Sequence, residues 1–166
     1  KLTILGENAF SDCDGLEEIE VPETVTKIDD LVFNGCTNLR TIKLGDGLKK
    51  IGKGAFRDCL SLATVTVPEQ ITRVGAQAYY NCPALTYFEM KAALEFVLQV
   101  DDKGLNVLDE NGLPIVDDEK STLGAYMLYR FNPEIVIVYD ASNTGMAAYY
   151  AHYELDKEPP SLTTET

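Results

Sequence analysis

Four cysteines, Cys13, Cys36, Cys59 and Cys82, recur at intervals of 23 residues. Thiols at a fixed spacing have three chemistries open to them: disulfide bonds, metal ligation, or burial as small apolar groups. Equivalent positions of stacked repeats carry parallel side chains, so the Cβ geometry for a disulfide is poor, and zinc needs ligands that converge rather than a ladder. Buried, reduced thiols are therefore the expectation, with disulfides the second reading. His152 is the only histidine; no Ser or Cys motif accompanies it to form a nucleophile and base pair, so it reads as a helix-face residue. Asp101, Asp102, Asp109, Asn111, Asp117 and Asp118 carry oxygens of the kind Ca²⁺ takes, yet Asp109-x-Asn111-Gly112 lacks the remaining ligand spacing of an EF-hand, and turn chemistry explains it. Gly52-Lys53-Gly54 is a fragment of a phosphate loop without the rest of its motif. No catalytic residue, metal ligand or cofactor site is assigned.

The elements that carry these residues follow from the same interval. Phe10, Phe33, Phe56 and Tyr79 share the 23-residue register, as do Leu16, Leu39, Leu62 and Leu85, and Ile19, Ile42, Val65 and Phe88. Further columns are Val21, Leu44, Val67 and Met90; Leu2, Val25, Leu48 and Ile71; and Leu5, Ile28, Ile51 and Val74. Within one repeat, Leu39-x-x-Ile42-x-Leu44 ends in the apolar and polar alternation of a half-buried strand. Leu48-x-x-Ile51 is a second short extended piece, reached through a turn at Gly45 and Gly47 or, in other repeats, at Pro22 and Pro68. Ala55-Phe56-x-x-Cys59-x-x-Leu62 has the threefold spacing of a helical or 3₁₀ turn. One such coil cannot bury both ends of its interior, so neighbours must stack on it. The fold class expected is an α/β repeat solenoid of about four coils, its short parallel strands stacked into a sheet ~4.8 Å apart.

The pattern Ile28-x-x-x-Val32-Phe33-x-x-Cys36-x-x-Leu39-x-x-Ile42-x-Leu44, with its copy at Ile51-Gly52-x-x-Ala55-Phe56, resembles the BspA-type leucine-rich repeats. The resemblance covers residues 1–98. It implies secreted or surface-displayed proteins, mostly bacterial, that bind host or neighbouring-cell proteins, and it implies no catalysis.

After Val97 the register stops. Asp101-Asp102-Lys103-Gly104 and Asp109-Glu110-Asn111-Gly112 separate short apolar runs and predict β-hairpins. Strands are expected at 96–100, 105–108, 113–116, 125–131 and 135–139, the last apolar enough to be buried on both faces. Ser142 is placed to cap a helix whose Met146, Tyr149, Tyr150 and Tyr153 share a face, with Ala147, Ala148 and Ala151 opposite for close packing. This strand and Ala/Tyr helix also resemble the ending of BspA-type proteins, more loosely than the repeats do. Residues 99–154 are read as a C-terminal capping segment of hairpins and helix, because a solenoid end is apolar and unpaired. Residues 155–166, rich in Pro, Ser and Thr, are read as a flexible tail. The start at Lys1, in mid-coil, reads as a fragment of something longer.

Composition bounds the function. With 27 acidic and 14 basic residues the net charge is −13, and residues 99–166 hold 13 of the acids against 4 bases. Such a field repels phosphate backbones and anionic lipid, so nucleic acid is not an expected partner. No apolar run approaches the ~20 residues of a membrane helix, so no membrane insertion is expected within this segment. The exposed strand positions stack into two columns, Glu18, Thr41, Thr64 and Tyr87, then Glu20, Lys43, Thr66 and Glu89, and these eight are the candidate ligand-binding residues, with Tyr87 foremost. A protein or glycan partner is expected for a non-enzymatic module outside the cell or on its surface, a location taken from the resemblance. The alternative is a structural spacer within a larger surface protein.

Overall fold

In the computed structural model, which describes residues 1–129, 131 and 134–155, the elements in chain order are β1 (Ile4–Leu5), β2 (Glu18–Glu20), β3 (Lys27–Ile28), β4 (Thr41–Lys43), β5 (Lys50–Ile51), β6 (Thr64–Val67), β7 (Arg73–Val74), β8 (Tyr79–Tyr80), β9 (Tyr87–Met90), β10 (Leu128–Tyr129), β11 (Val136–Tyr139) and α1 (Thr144–His152). All pairings between these strands are parallel. Those among β1–β9 join residues 23 apart: Leu5 with Ile28, Ile28 with Ile51, Ile51 with Val74, Ile19 with Ile42, and Val65 with Phe88. Alternation explains the strands: in Thr64-Val65-Thr66-Val67 the threonines are exposed and the valines buried, as period-2 side chains require.

The core is made of columns. Phe10, Phe33, Phe56 and Tyr79 stack at 5.4, 5.2 and 5.3 Å between ring centroids, within 9° of parallel, an offset-stacking distance. Beside them each buried thiol donates to a phenylalanine carbonyl of the preceding turn: Cys36 to Phe10 at 3.1 Å, Cys59 to Phe33 at 3.3 Å and Cys82 to Phe56 at 3.4 Å. The four cysteines are free thiols, and Cys13, in the first described turn, is half-buried rather than buried. Gly52, Gly75 and Gly124 form another column, because a Cβ on any of them would lie 2.1–2.6 Å from backbone atoms of the turn beneath. Close stacking, not phosphate binding, accounts for Gly52 in Gly52-Lys53-Gly54.

Strands β10 and β11 do not lie outside this stack. Leu128 pairs with Tyr79, Val136 with Tyr87, and Leu123 bridges to Val74, all parallel and all 49 residues apart. That offset is one period plus 26 residues. The chain leaves the stack after Glu95 and rejoins it at Thr122, where the two ends are bonded: Thr122 N–H donates to the Glu95 carbonyl and Glu95 N–H to Thr122 Oγ1, both at 2.9 Å.

The 26 residues between, 96–121, have a period of eight: Asp101, Asp109 and Asp117 each close a turn by accepting two backbone N–H bonds on Oδ1. The three extended segments expected at 96–100, 105–108 and 113–116 make antiparallel bridges, Val100 to Asn106, Leu108 to Pro114 and Leu98 to Val116, but form no continuous strands. Each segment bonds to both others, since Gln99 N–H donates to Ile115, Ile115 N–H to Val107, and Val107 N–H to Gln99. A threefold closure of this kind shares each residue between two neighbours, which leaves no room for an extended two-strand ladder.

Three further expectations are corrected. Val136 and Val138 of the apolar run 135–139 are exposed, because only the Ile137 and Tyr139 side faces the core. The helix is capped by Asn143, whose Oδ1 accepts from Met146 N–H at 3.1 Å while its Nδ2 donates to the Ala92 carbonyl; Ser142 instead bonds to Asp140. Ala148 and Ala151 face solvent, and close packing falls to Gly145, where a Cβ would collide with the Leu94 carbonyl. Residues 156–166 of the expected tail lie outside the described residues.

Helix α1 bonds to the last described turn. In the preceding turn Gln77 and Tyr79 donate their backbone N–H groups to the carbonyls of Ala125 and Met127. The equivalent donors one turn on, Tyr126 and Leu128, meet no further turn among the described residues. Instead they donate to the hydroxyls of Tyr153 at 3.0 Å and Tyr149 at 2.8 Å, and Tyr149 Oη donates back to the Leu128 carbonyl. The buried Leu128 donor and the exposed Tyr126 donor are thereby both satisfied by side chains.

Candidate functional site

The eight ladder residues fall into two blocks. Glu18 and Glu20 pair with Thr41 and Lys43 across β2 and β4; Thr64 and Thr66 pair with Tyr87 and Glu89 across β6 and β9. The sheets are separate, β2-β4 and β11-β9-β6, and the backbone link between the blocks is the Ala63 N–H to Arg40 carbonyl bond at 3.3 Å. At Gly45 and Gly47 the second turn passes so close to Pro22 and Glu23 of the first that a Cβ at either would collide with their backbone.

In the first block Lys43 Nζ meets Glu20 Oε1 at 2.8 Å with both side chains largely exposed, a geometry that contributes little in water. In the second block Tyr87 is half-buried and its hydroxyl donates to Glu89 Oε2 at 3.2 Å. Local desolvation, then the Glu89 carboxylate, push its phenol above the usual value, so it remains a neutral hydroxyl. Next to this pair the third strand adds two residues that the repeat register did not reach. Val136 lies beside Tyr87 and Val138 beside Glu89, 55% and 38% exposed. A signal for them exists in the sequence: Leu123-Gly124-Ala125 copies Val74-Gly75-Ala76, and counting on from it puts Val136 and Val138 in the two exposed columns.

The remaining chemical candidates have structural partners. His152 sits against the rings of Phe96 and Tyr153 at 5.3 and 4.6 Å, and burial holds its pKa below the usual range. Asp101, Asp109 and Asp117 are occupied by turn N–H groups; Asp102, Asn111 and Asp118 stand exposed at the turn tips. Among the described residues no three acidic, cysteine or histidine side chains converge on a point. Nor is any described helix long and apolar enough to cross a membrane.

Parallel short strands stacked at one residue interval, with an exposed sheet face and aromatic and thiol columns inside, define a leucine-rich-repeat protein. A model of the BspA type leucine-rich repeat region matches residues 1–99 in six copies, and the chain belongs to that family. Among solved structures, a leucine-rich repeat protein of T. pallidum is 18% identical, with 96% of this chain and 79% of that chain covered and a TM-score of 0.46. A leucine-rich repeat protein of Bacteroides ovatus is 19% identical, with 82% and 43% covered and a TM-score of 0.43. No curated protein matches the chain.

Proposed function

We propose that this chain is a non-enzymatic recognition module of a secreted or surface-displayed protein, a solenoid of five turns with a helical end cover, which engages a protein or glycan through the outer face of β6, β9 and β11. The observation that carries this reading is the placement of Val136 and Val138 beside Tyr87 and Glu89 on an exposed sheet face. Apolar side chains held outward on a rigid sheet gain nothing from the fold, and contiguous ones mark interaction surfaces. Tyrosine adds a large amphipathic contact with few rotatable bonds, and the sheet has already met the ordering cost that a loop would pay on binding. The Glu20 and Lys43 block lies apart and serves to steer encounter.

The test is a binding screen of the intact chain against extracellular-matrix proteins and a glycan array. Tyr87→Ala and Val136→Ser are each expected to weaken the identified interaction by roughly 1–2 kcal/mol without loss of fold. Normal binding by both variants, with loss in Lys53→Ala or Arg57→Ala, would place the contact elsewhere.

A further inference from the structure

The segment 96–121 leaves and rejoins the stack at one place, its ends meeting at Glu95 and Thr122 and its own backbone bonds closing on themselves. Its surface is unusual for such a small unit. Val100 and Leu108 are each 54% exposed. Val100 lies opposite Asn106 and Leu108 opposite Pro114, and strand alternation puts Asn106 and Leu108 on the same side, so Val100 and Leu108 share one face. That face runs into a depression of about 410 Å³ lined by Gln99, Val100, Asp117, Asp118, Glu119 and Lys120. Three of those six residues are carboxylates; Asp117 is already paired with Lys120 Nζ at 3.0 Å, which leaves Asp118 and Glu119 exposed beside it.

Charge identifies the occupant. Residues 96–121 carry seven carboxylates and two lysines. Asp101, Asp109 and Asp117 are explained by turn closure, but the position after each is also acidic, as Asp102, Glu110 and Asp118, all exposed, and turn geometry does not ask for an acid there. A second copy of the chain would bring the same charge and be repelled. A partner with apolar side chains flanked by Lys or Arg meets both features, with its cations beside the exposed Asp118 and Glu119 and its apolar residues on Val100 and Leu108.

We propose that 96–121 is a docking unit for a cationic amphipathic segment of another protein, distinct from the sheet face formed by β6, β9 and β11. The probe is a fluorescein-labelled 14-residue peptide of alternating Leu and Lys pairs, read by anisotropy against the full chain, beside a counterpart with every Lys replaced by Glu. The Lys peptide is expected to bind, and more weakly as salt is raised, while the Glu peptide does not. The triple variant Asp102→Asn, Glu110→Gln, Asp118→Asn keeps the three turn-closing aspartates and should weaken binding about ten-fold; Val100→Ser with Leu108→Ser should do the same. Tyr87→Ala should leave it unchanged, which separates this surface from the sheet face. The proposal fails if both multiple variants bind like the parent, if the Glu peptide binds equally, or if loss follows Leu105→Ser with Leu113→Ser on the other face instead. Sedimentation showing a dimer that Val100→Ser with Leu108→Ser dissolves would assign the face to self-association and also overturn it.

Discussion

Two buried tyrosines show how the same side chain acts with opposite sign. Tyr79 ends the phenylalanine column, and its hydroxyl is buried with no hydrogen-bond partner, so burial pushes its phenol well above the usual range. The oxygen was desolvated without compensation. Tyr79→Phe should therefore stabilise the chain by about 1 kcal/mol, measured by denaturant unfolding; a destabilised variant would mean that the hydroxyl is satisfied in solution. Tyr149 is just as buried, but its hydroxyl both accepts from and donates to the Leu128 backbone. Tyr149→Phe leaves that N–H and C=O without partners and should cost about 1–3 kcal/mol. Equal effects of the two substitutions would contradict the account. From the sequence both positions read simply as aromatic, one in a column and one on a helix face; whether a hydroxyl finds a partner depends on which backbone the fold brings to it.

Among the elements, the repeats were legible and the interruption was not. The columns from Phe10 to Tyr79 and from Ile19 to Phe88 specify strand, turn and stacking because each apolar position recurs in one register. The next turn obeys the same rule through Leu123, Leu128 and Ile137, but a reading tied to a 23-residue interval loses it once 26 residues intervene, and the turn then looks like hairpins of a separate cap. The eight-residue recurrence of Asp101, Asp109 and Asp117 was visible as turns, though not as a closed threefold unit, because closure rests on long-range backbone bonds. Of the eight candidate positions six are exposed while Tyr87 and Glu89 are half-buried, and β4 and β6 belong to separate sheets, a break that no residue pattern in the repeats marks. Excision of 96–121, joining Glu95 to Thr122, restores the parent interval. The shortened chain should still unfold cooperatively, with a loss of about 3 kcal/mol from the Phe96 ring that packs on Tyr149 at 5.2 Å. Absence of a cooperative transition would show that the unit is integral to the stack.

For the molecule as a whole, stability in a stack is close to a sum over neighbouring turns, so its ends decide its behaviour. In the last turn β11 lies beside Phe88 and Met90, both fully or nearly fully buried, and β10 and β11 complete the backbone bonds of β8 and β9. A chain ending at Glu95 would present those residues and an unpaired parallel edge together, a template for further pairing. Concentration-dependent association in sedimentation velocity is expected of it; a monomer with the parent's thermal midpoint would show that the last turn contributes nothing to the turns beneath.

The meeting of Glu95 and Thr122 also makes this place a port. Its two hydrogen bonds fix the entry and exit of the chain whatever sequence lies between, so the length of that sequence is nearly free to vary: closure entropy rises only logarithmically, by about 0.6 kcal/mol for each doubling. A foreign loop or small domain whose termini lie close together is therefore an acceptable cargo here, carried on a rigid scaffold whose register resumes at Leu123 undisturbed.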